Sequence, residues 1–188
     1  YTYTNAGLVA EAEGYFPYHV SAVSGNGFTV ATTAQYNPRF GQPSEITQAS
    51  GVVVTNEYDG FGRLADSQKM TAPKQYIRYY DPDANAPINA VYRVSTMSIG
   101  MPTQNAYIDE LGRTIRTTIE GFNGDLVYQD QTFDSVGELI TTQGPYYAEA
   151  ITKPTVSYSN YDALGRVGKK ETSQANGSTL IATYNYQG

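Results

Sequence analysis

The stretch Tyr58-Asp59-Gly60-Phe61-Gly62-Arg63-Leu64 decides how the chain is read, because its pattern keeps returning. It recurs as Tyr107-Ile108-Asp109-Glu110-Leu111-Gly112-Arg113, as Phe133-Asp134-Ser135-Val136-Gly137-Glu138-Leu139 and as Tyr161-Asp162-Ala163-Leu164-Gly165-Arg166-Val167. Weaker copies read Tyr3-Thr4-Asn5-Ala6-Gly7 and Tyr184-Asn185-Tyr186-Gln187-Gly188, and Tyr36-Asn37-Pro38-Arg39-Phe40-Gly41 is a copy lengthened by one residue. Each is an aromatic residue, usually Asp, two variable residues, Gly, and often Arg. Self-similarity of this kind is the sequence mark of a repeat architecture.

The repeat has a physical reading. Asp at the first position of a turn accepts a hydrogen bond from a backbone N–H two residues on, and Gly at the last position takes a positive φ without steric cost. Strand-like sequence follows. Residues 113–120 read Arg-Thr-Ile-Arg-Thr-Thr-Ile-Glu, with Ile115, Thr117 and Ile119 expected on one face and Thr114, Arg116, Thr118 and Glu120 on the other. Asn123-Gly124 then signals a hairpin turn, as do Gly25-Asn26-Gly27, Ser50-Gly51 and Asn176-Gly177. One unit is a β-hairpin, turned at one end by Asp-x-x-Gly and at the other by Asn-Gly.

The motif glycines fall at 7, 41, 62, 112, 137, 165 and 188, so the steps are 34, 21, 50, 25, 28 and 23 residues. The step of 50 spans two units. Tyr80-Asp81-Pro82-Asp83-Ala84 stands where the missing copy belongs, with Ala84 in the glycine position.

Aromatic-Asp-x-x-Gly-Arg-Leu at this spacing resembles the YD repeat of the RHS family, which includes bacterial Rhs polymorphic toxins, the B and C components of Tc toxin complexes and, more distantly, teneurins. The resemblance runs along essentially the whole chain. Tyr79-Tyr80-Asp81-Pro82 to Arg93-Val94-Ser95-Thr96 and Glu120-Gly121-Phe122-Asn123-Gly124 are closer to the Tc B-like branch. It implies a strip of antiparallel β-hairpins that curves into part of a hollow shell around a toxic or segregated polypeptide. It also implies that the repeats are wall and not catalyst. Tyr58, Asp59, Gly62 and Arg63, with Tyr107, Asp109, Gly112 and Arg113, are then structural motif residues. So are Phe133, Asp134 and Gly137, with Tyr161, Asp162, Gly165 and Arg166. The family's autoproteolytic Asp-Pro-x-Gly-Leu is absent from this sequence, and Asp81-Pro82 is not followed by the residues that introduce it.

Composition agrees with an all-β array: 18 Tyr, 18 Gly and 9 Pro in 188 residues, with no sustained helical periodicity. The net charge of −6 argues against nucleic acid, which needs a basic face to neutralise phosphates. With no Cys there is no disulfide or thiolate site, and no apolar run approaches the roughly 20 residues of a spanning helix. The expected organisation is one array over residues 1–188, cut from a longer protein, with an irregular insertion around 71–106. Val52, Val53 and Val54 read as a strand buried on both faces.

Candidate chemistry is sparse. His19 is the only histidine, and no Gly-x-Ser-x-Gly accompanies it. Asp81-Pro82-Asp83-Ala84-Asn85 opens like a calcium loop, but Ala86 and Tyr92 stand where Gly and Glu are needed. The motif aspartates recur once per unit, whereas paired-carboxylate catalysis needs one unique pair. Asn176-Gly177-Ser178 matches a glycosylation sequon but reads as a turn in a bacterial protein. The expectation is therefore a secreted or cell-surface, non-enzymatic wall segment without cofactors, whose partners are other repeats and an enclosed toxin module. The alternative is a Tyr-rich surface that binds a glycan or protein. Unpaired edge strands of an excised strip also invite self-association.

Overall fold

The computed structural model describes residues 2–5, 8–13, 16–23, 29–174 and 176–186, with side chains from residue 31 onward. The described residues form sixteen strands and no helix. They are β1 (Thr2–Asn5), β2 (Leu8–Glu13), β3 (Phe16–Val23), β4 (Thr29–Tyr36), β5 (Pro43–Thr47), β6 (Val53–Tyr58), β7 (Leu64–Lys69) and β8 (Gln75–Tyr80). The remainder are β9 (Tyr92–Ser98), β10 (Met101–Ile108), β11 (Thr114–Glu120), β12 (Leu126–Phe133), β13 (Leu139–Tyr147), β14 (Thr155–Ser159), β15 (Lys169–Ser173) and β16 (Thr179–Thr183).

The chain divides into two compact units, residues 1–77 with 97–100, and residues 78–96 with 101–188. In the first, each strand from β2 to β8 pairs antiparallel with its predecessor. In the second, β9 lies beside β10 and each strand from β11 to β16 pairs antiparallel with the one before. Spatial order is chain order, and neither sheet closes on itself. The turns expected at Gly7 and at Gly25-Asn26-Gly27 lie outside the described residues. His19 sits in β3 opposite Glu11.

One turn form serves both ends of the hairpins. At 59–63, 109–113, 134–138 and 162–166 the first residue's N–H donates to the fifth carbonyl, and the glycine N–H donates back to the first carbonyl. The same two bonds close 48–52, 121–125 and 174–178, where the sequence alone suggests two-residue Asn-Gly or Ser-Gly turns. The glycine takes φ between +73° and +93° in all seven, a region that excludes a Cβ at low cost.

A register break follows three of the four motif turns, those at 59–63, 109–113 and 134–138. Glu57, Tyr107 and Thr132 pair with Asp66, Arg116 and Thr141, but the next residues, Tyr58, Ile108 and Phe133, pair with Leu64, Thr114 and Leu139. Ala65, Ile115 and Ile140 are the extra residues, each a β-bulge three positions past the motif glycine. The bulge overturns the simple alternation expected over residues 114–120, because Ile115 falls outside the pairing that sets the two faces. Val52, Val53 and Val54 are half-buried and not enclosed on both faces.

The core of the second unit is polar as well as apolar. Tyr107, Ile108, Tyr128 and Tyr146 are buried, together with Ser95, Asp109 and Thr118. A second bulge, Gly144-Pro145 in β13 against the single Gln129 in β12, brings Tyr146 opposite Tyr128, and their rings stack at 5.6 Å. Gly144 has φ +112°, and a Cβ there would lie 2.6 Å from the Tyr128 carbonyl oxygen. Gly144→Ala is expected to cost about 2–4 kcal/mol, since strain and overlap add. Chemical denaturation of the two proteins checks it, with Gly112→Ala as a comparison that meets strain but no overlap.

Candidate functional site

The functional residues named by the motif are held by the turn itself. The Oδ1 atom of Asp59 accepts from the N–H groups of Phe61 and Arg63 at 2.9 and 3.0 Å. Asp109 does the same with Leu111 and Arg113, Asp134 with Val136 and Glu138, and Asp162 with Leu164 and Arg166. In three of the four, Oδ2 takes the guanidinium of the residue after glycine, Arg63, Arg113 or Arg166, through Nε at 2.7–2.8 Å. The fourth has Glu138 there and no such clasp. The Arg166 backbone N–H and then its guanidinium hold the Asp162 carboxyl below its ordinary value. Burial pushes the Asp109 carboxyl up, but the bonds from Arg113 and Leu111 outweigh it and leave the group lowered.

The motif aromatic reaches backwards to the preceding repeat. The hydroxyls of Tyr58, Tyr161 and Tyr186 donate to the carbonyls of Pro43, Leu139 and Val167 at 2.8, 2.6 and 3.0 Å. Each acceptor lies two residues beyond the preceding motif glycine, Gly41, Gly137 or Gly165. Phe133 has no hydroxyl, and its ring instead carries the Arg113 guanidinium at 4.6 Å. Arg166 sits in the same way over Tyr186 at 4.3 Å. The aromatic of the last copy is thus Tyr186 and not Tyr184, because Tyr186 both carries Arg166 on its ring and reaches Val167 with its hydroxyl.

Tyr107 is likewise displaced from the role the pattern suggests. It holds the strand position of Glu57 and Thr132, one residue before the break, while Ile108 stands where Tyr58 and Phe133 stand. Its hydroxyl donates to Asp83 Oδ1 at 2.9 Å. Asp83 also accepts the Asn85 N–H at 3.0 Å, and Ala86 N–H returns to the Asp83 carbonyl at 3.0 Å. The missing copy is therefore built from Asp83, with Ala86 in the glycine position, and not from Asp81 with Ala84. Pro87 stands where Arg belongs, and Arg93 Nη1 supplies the cation to Asp83 Oδ2 at 2.6 Å.

This loop, residues 81–91, is fastened to the second unit's sheet. Asn85 accepts the Tyr128 hydroxyl through its side chain at 3.0 Å and Arg116 Nη1 through its carbonyl at 2.8 Å. Arg116 grips Asp130 with Nε and Nη2 at 2.6 and 2.8 Å, and Tyr146 donates to the same carboxylate. Burial raises the Asp130 carboxyl, but Arg116 and Tyr146 together lower it by more. Ser95, Asn105 and Thr118 continue the polar row across β9, β10 and β11. The pattern foretold none of this row, because its members lie outside the motif and meet only when the strands pair.

Beneath residues 87–91 lies an open cleft of about 590 Å³, bounded by Asp109, Arg113, Ile115, Arg116, Asp130 and Phe133. No group of His, Cys, Asp or Glu able to hold a metal occurs among the described residues.

No protein-family model matches the chain, and no curated protein matches it. Among solved structures, the chain is similar to one in the Photorhabdus luminescens Tc holotoxin pore with a mutated TccC3. There the identity is 13% and the TM-score 0.49, over 97% of this chain and 12% of that one. It is also similar to a chain in a crystal structure of TcdB2-TccC3-TEV, at 13% identity and TM-score 0.47, over 88% of this chain and 11% of that one. The chain spans about an eighth of the length of either.

Two predictions follow from these contacts. Tyr161→Phe removes the bond to Leu139 and is expected to cost about 0.5–1.5 kcal/mol, whereas Tyr92→Phe, on a side chain 37% exposed, serves as comparison in thermal melts. Burial, then the Asp83 or Asp130 carboxylate, pushes the Tyr107 and Tyr146 hydroxyls up to about 12 from 10.0. The stability these two hydroxyls contribute is then constant up to about pH 10 and falls from there toward pH 12, as the unfolded chain ionises first. Denaturation midpoints against pH, read beside tyrosinate absorbance, test this; an unchanged midpoint across that window counts against it.

Proposed function

We propose that the chain is a stretch of RHS/YD-repeat wall that encloses or scaffolds a toxin module of a bacterial, secreted or surface-borne protein, and that it has no catalytic role of its own. The observation that supports this reading most is the backward bond of the motif tyrosine. Every such bond ties one hairpin to the turn of the hairpin before it, so the motif builds continuity between repeats. An enzyme would concentrate unusual chemistry at one place, whereas here the same carboxylate, glycine and guanidinium do the same work in successive turns. Solenoid-like arrays gain stability from such nearest-neighbour contacts, and they extend by repetition. The motif residues Asp59, Asp109, Asp134 and Asp162 are on this reading turn caps, and Arg63, Arg113 and Arg166 are their clasps. The partners are further repeats of the same polypeptide and the segment they enclose.

The test uses the intact polypeptide that carries this stretch. Proteinase K digestion is followed over time in buffer and in guanidinium just below the unfolding transition. A wall predicts that this stretch and one other segment stay uncut together, and that the other segment is cut as soon as the wall opens. Cleavage of every other segment at its free rate in buffer would overturn enclosure.

A further inference from the structure

We propose that the cleft beneath residues 87–91 is a binding site for an uncharged sugar. Its volume of about 590 Å³ lies within the range of small-molecule sites, and it is open to solvent at one side. It lies against the 109–113 motif turn, and it is independent of the wall reading, since a wall segment can carry such a site or lack it.

The charges on its walls are mostly spent. Arg113 is held by Asp109 at 2.7 Å and Arg116 by Asp130 at 2.6 Å, so each guanidinium charge is balanced by a carboxylate, while Arg113 Nη1 stays buried without a partner as one spare donor. The charge left over is Glu110, an exposed carboxylate on the rim. A phosphate, nucleotide or fatty-acid carboxylate would meet repulsion there and find no cation that a carboxylate does not already balance.

What remains available is neutral hydrogen bonding. Asn89 and Gln131 line the cleft without a protein partner for their amides, and each amide offers donors and an acceptor. Ile88, 99% exposed, and Val91, 50% exposed, set an apolar rim over the same space. Alternating hydroxyls and C–H faces on one rigid ring are the chemistry that such a mixture of amides and aliphatic surface fits. The bulge contributes directly, because it lets Ile115 and Arg116, neighbours in sequence, border the same cleft.

The site is built before any ligand arrives. Ala90 N–H closes a turn on the Pro87 carbonyl at 3.0 Å, Val91 N–H bonds the Ile108 carbonyl at 2.8 Å, and Arg116 holds the Asn85 carbonyl. A loop fastened at both ends loses little freedom on binding, which lowers the entropic cost of a weak polar ligand.

The experiment titrates the whole chain with lactose, maltotriose and chitotriose, read by saturation-transfer NMR and calorimetry. Saturable binding of at least one sugar is expected, weakened about tenfold or more by Gln131→Ala and by Asn89→Ala, and unchanged by Asn176→Ala on a distant turn. Ile88→Glu, on a fully exposed side chain, tests the rim without touching the fold. Glu110→Gln should leave neutral-sugar affinity within about threefold. The proposal is overturned if none of the three sugars saturates, or if the Asn89, Gln131 and Ile88 variants bind as the unaltered chain does. It is also overturned if spermidine binds more tightly than the sugars and is lost in Glu110→Gln, which would mark a cation site.

Discussion

The structure depends on one carboxylate performing three tasks in a single turn. Asp Oδ1 collects two backbone N–H groups that a reversing chain would otherwise leave unpaired, and Oδ2 collects a guanidinium from the start of the next strand. Charge-assisted bonds of this kind are shorter and stronger than neutral ones. The glycine between them completes the reversal by taking a positive φ. With the turn set, the following strand begins in a defined register, and after the turns at 59–63, 109–113 and 134–138 a bulge falls three residues past the glycine. The register then determines which aromatic faces the previous turn.

That last step converts local turns into an array. A β-hairpin alone is marginal in water, and a sheet of hairpins needs something beyond ladder bonds to choose its neighbours. The tyrosine hydroxyl, reaching the carbonyl two residues past the preceding glycine, is such a device. Where the hydroxyl is missing, at Phe133, the ring receives the arginine of the preceding motif instead. The two contacts use the same position, and Tyr186 makes both, its hydroxyl on the Val167 carbonyl and its ring under Arg166.

The degenerate copy at residues 83–87 shows what happens when the motif loses its glycine and arginine. The turn persists, because Asp83 still caps it, but Pro87 cannot donate an N–H and carries no cation. Arg93 and Tyr107 come from neighbouring strands to satisfy the carboxylate, and the loop is drawn over the sheet. There it bonds Arg116 and Tyr128 through Asn85 and forms one wall of the cleft. A lapse in the repeat is thus the place where the unit acquires features that are not repeated.

Much of the architecture was legible in the residues, because turn chemistry and strand propensity act over four or five positions. Asp59, Gly62 and Arg63 announce their turn without knowledge of anything distant, and so do their counterparts at 109–113 and 162–166. Hairpins in chain order follow from short connections. The register did not follow, since a bulge at Ile115 or Ile140 depends on how two strands settle against each other. Aligning the motif by its tyrosine therefore misassigned Tyr107 and Tyr184, whose places are taken by Ile108 and Tyr186. The seat of the degenerate copy at Asp83, the Arg116–Asp130–Tyr146 cluster and the cleft were decided only by tertiary structure. Their members are separated by tens of residues, and side chains that meet across strands leave no local trace in the sequence.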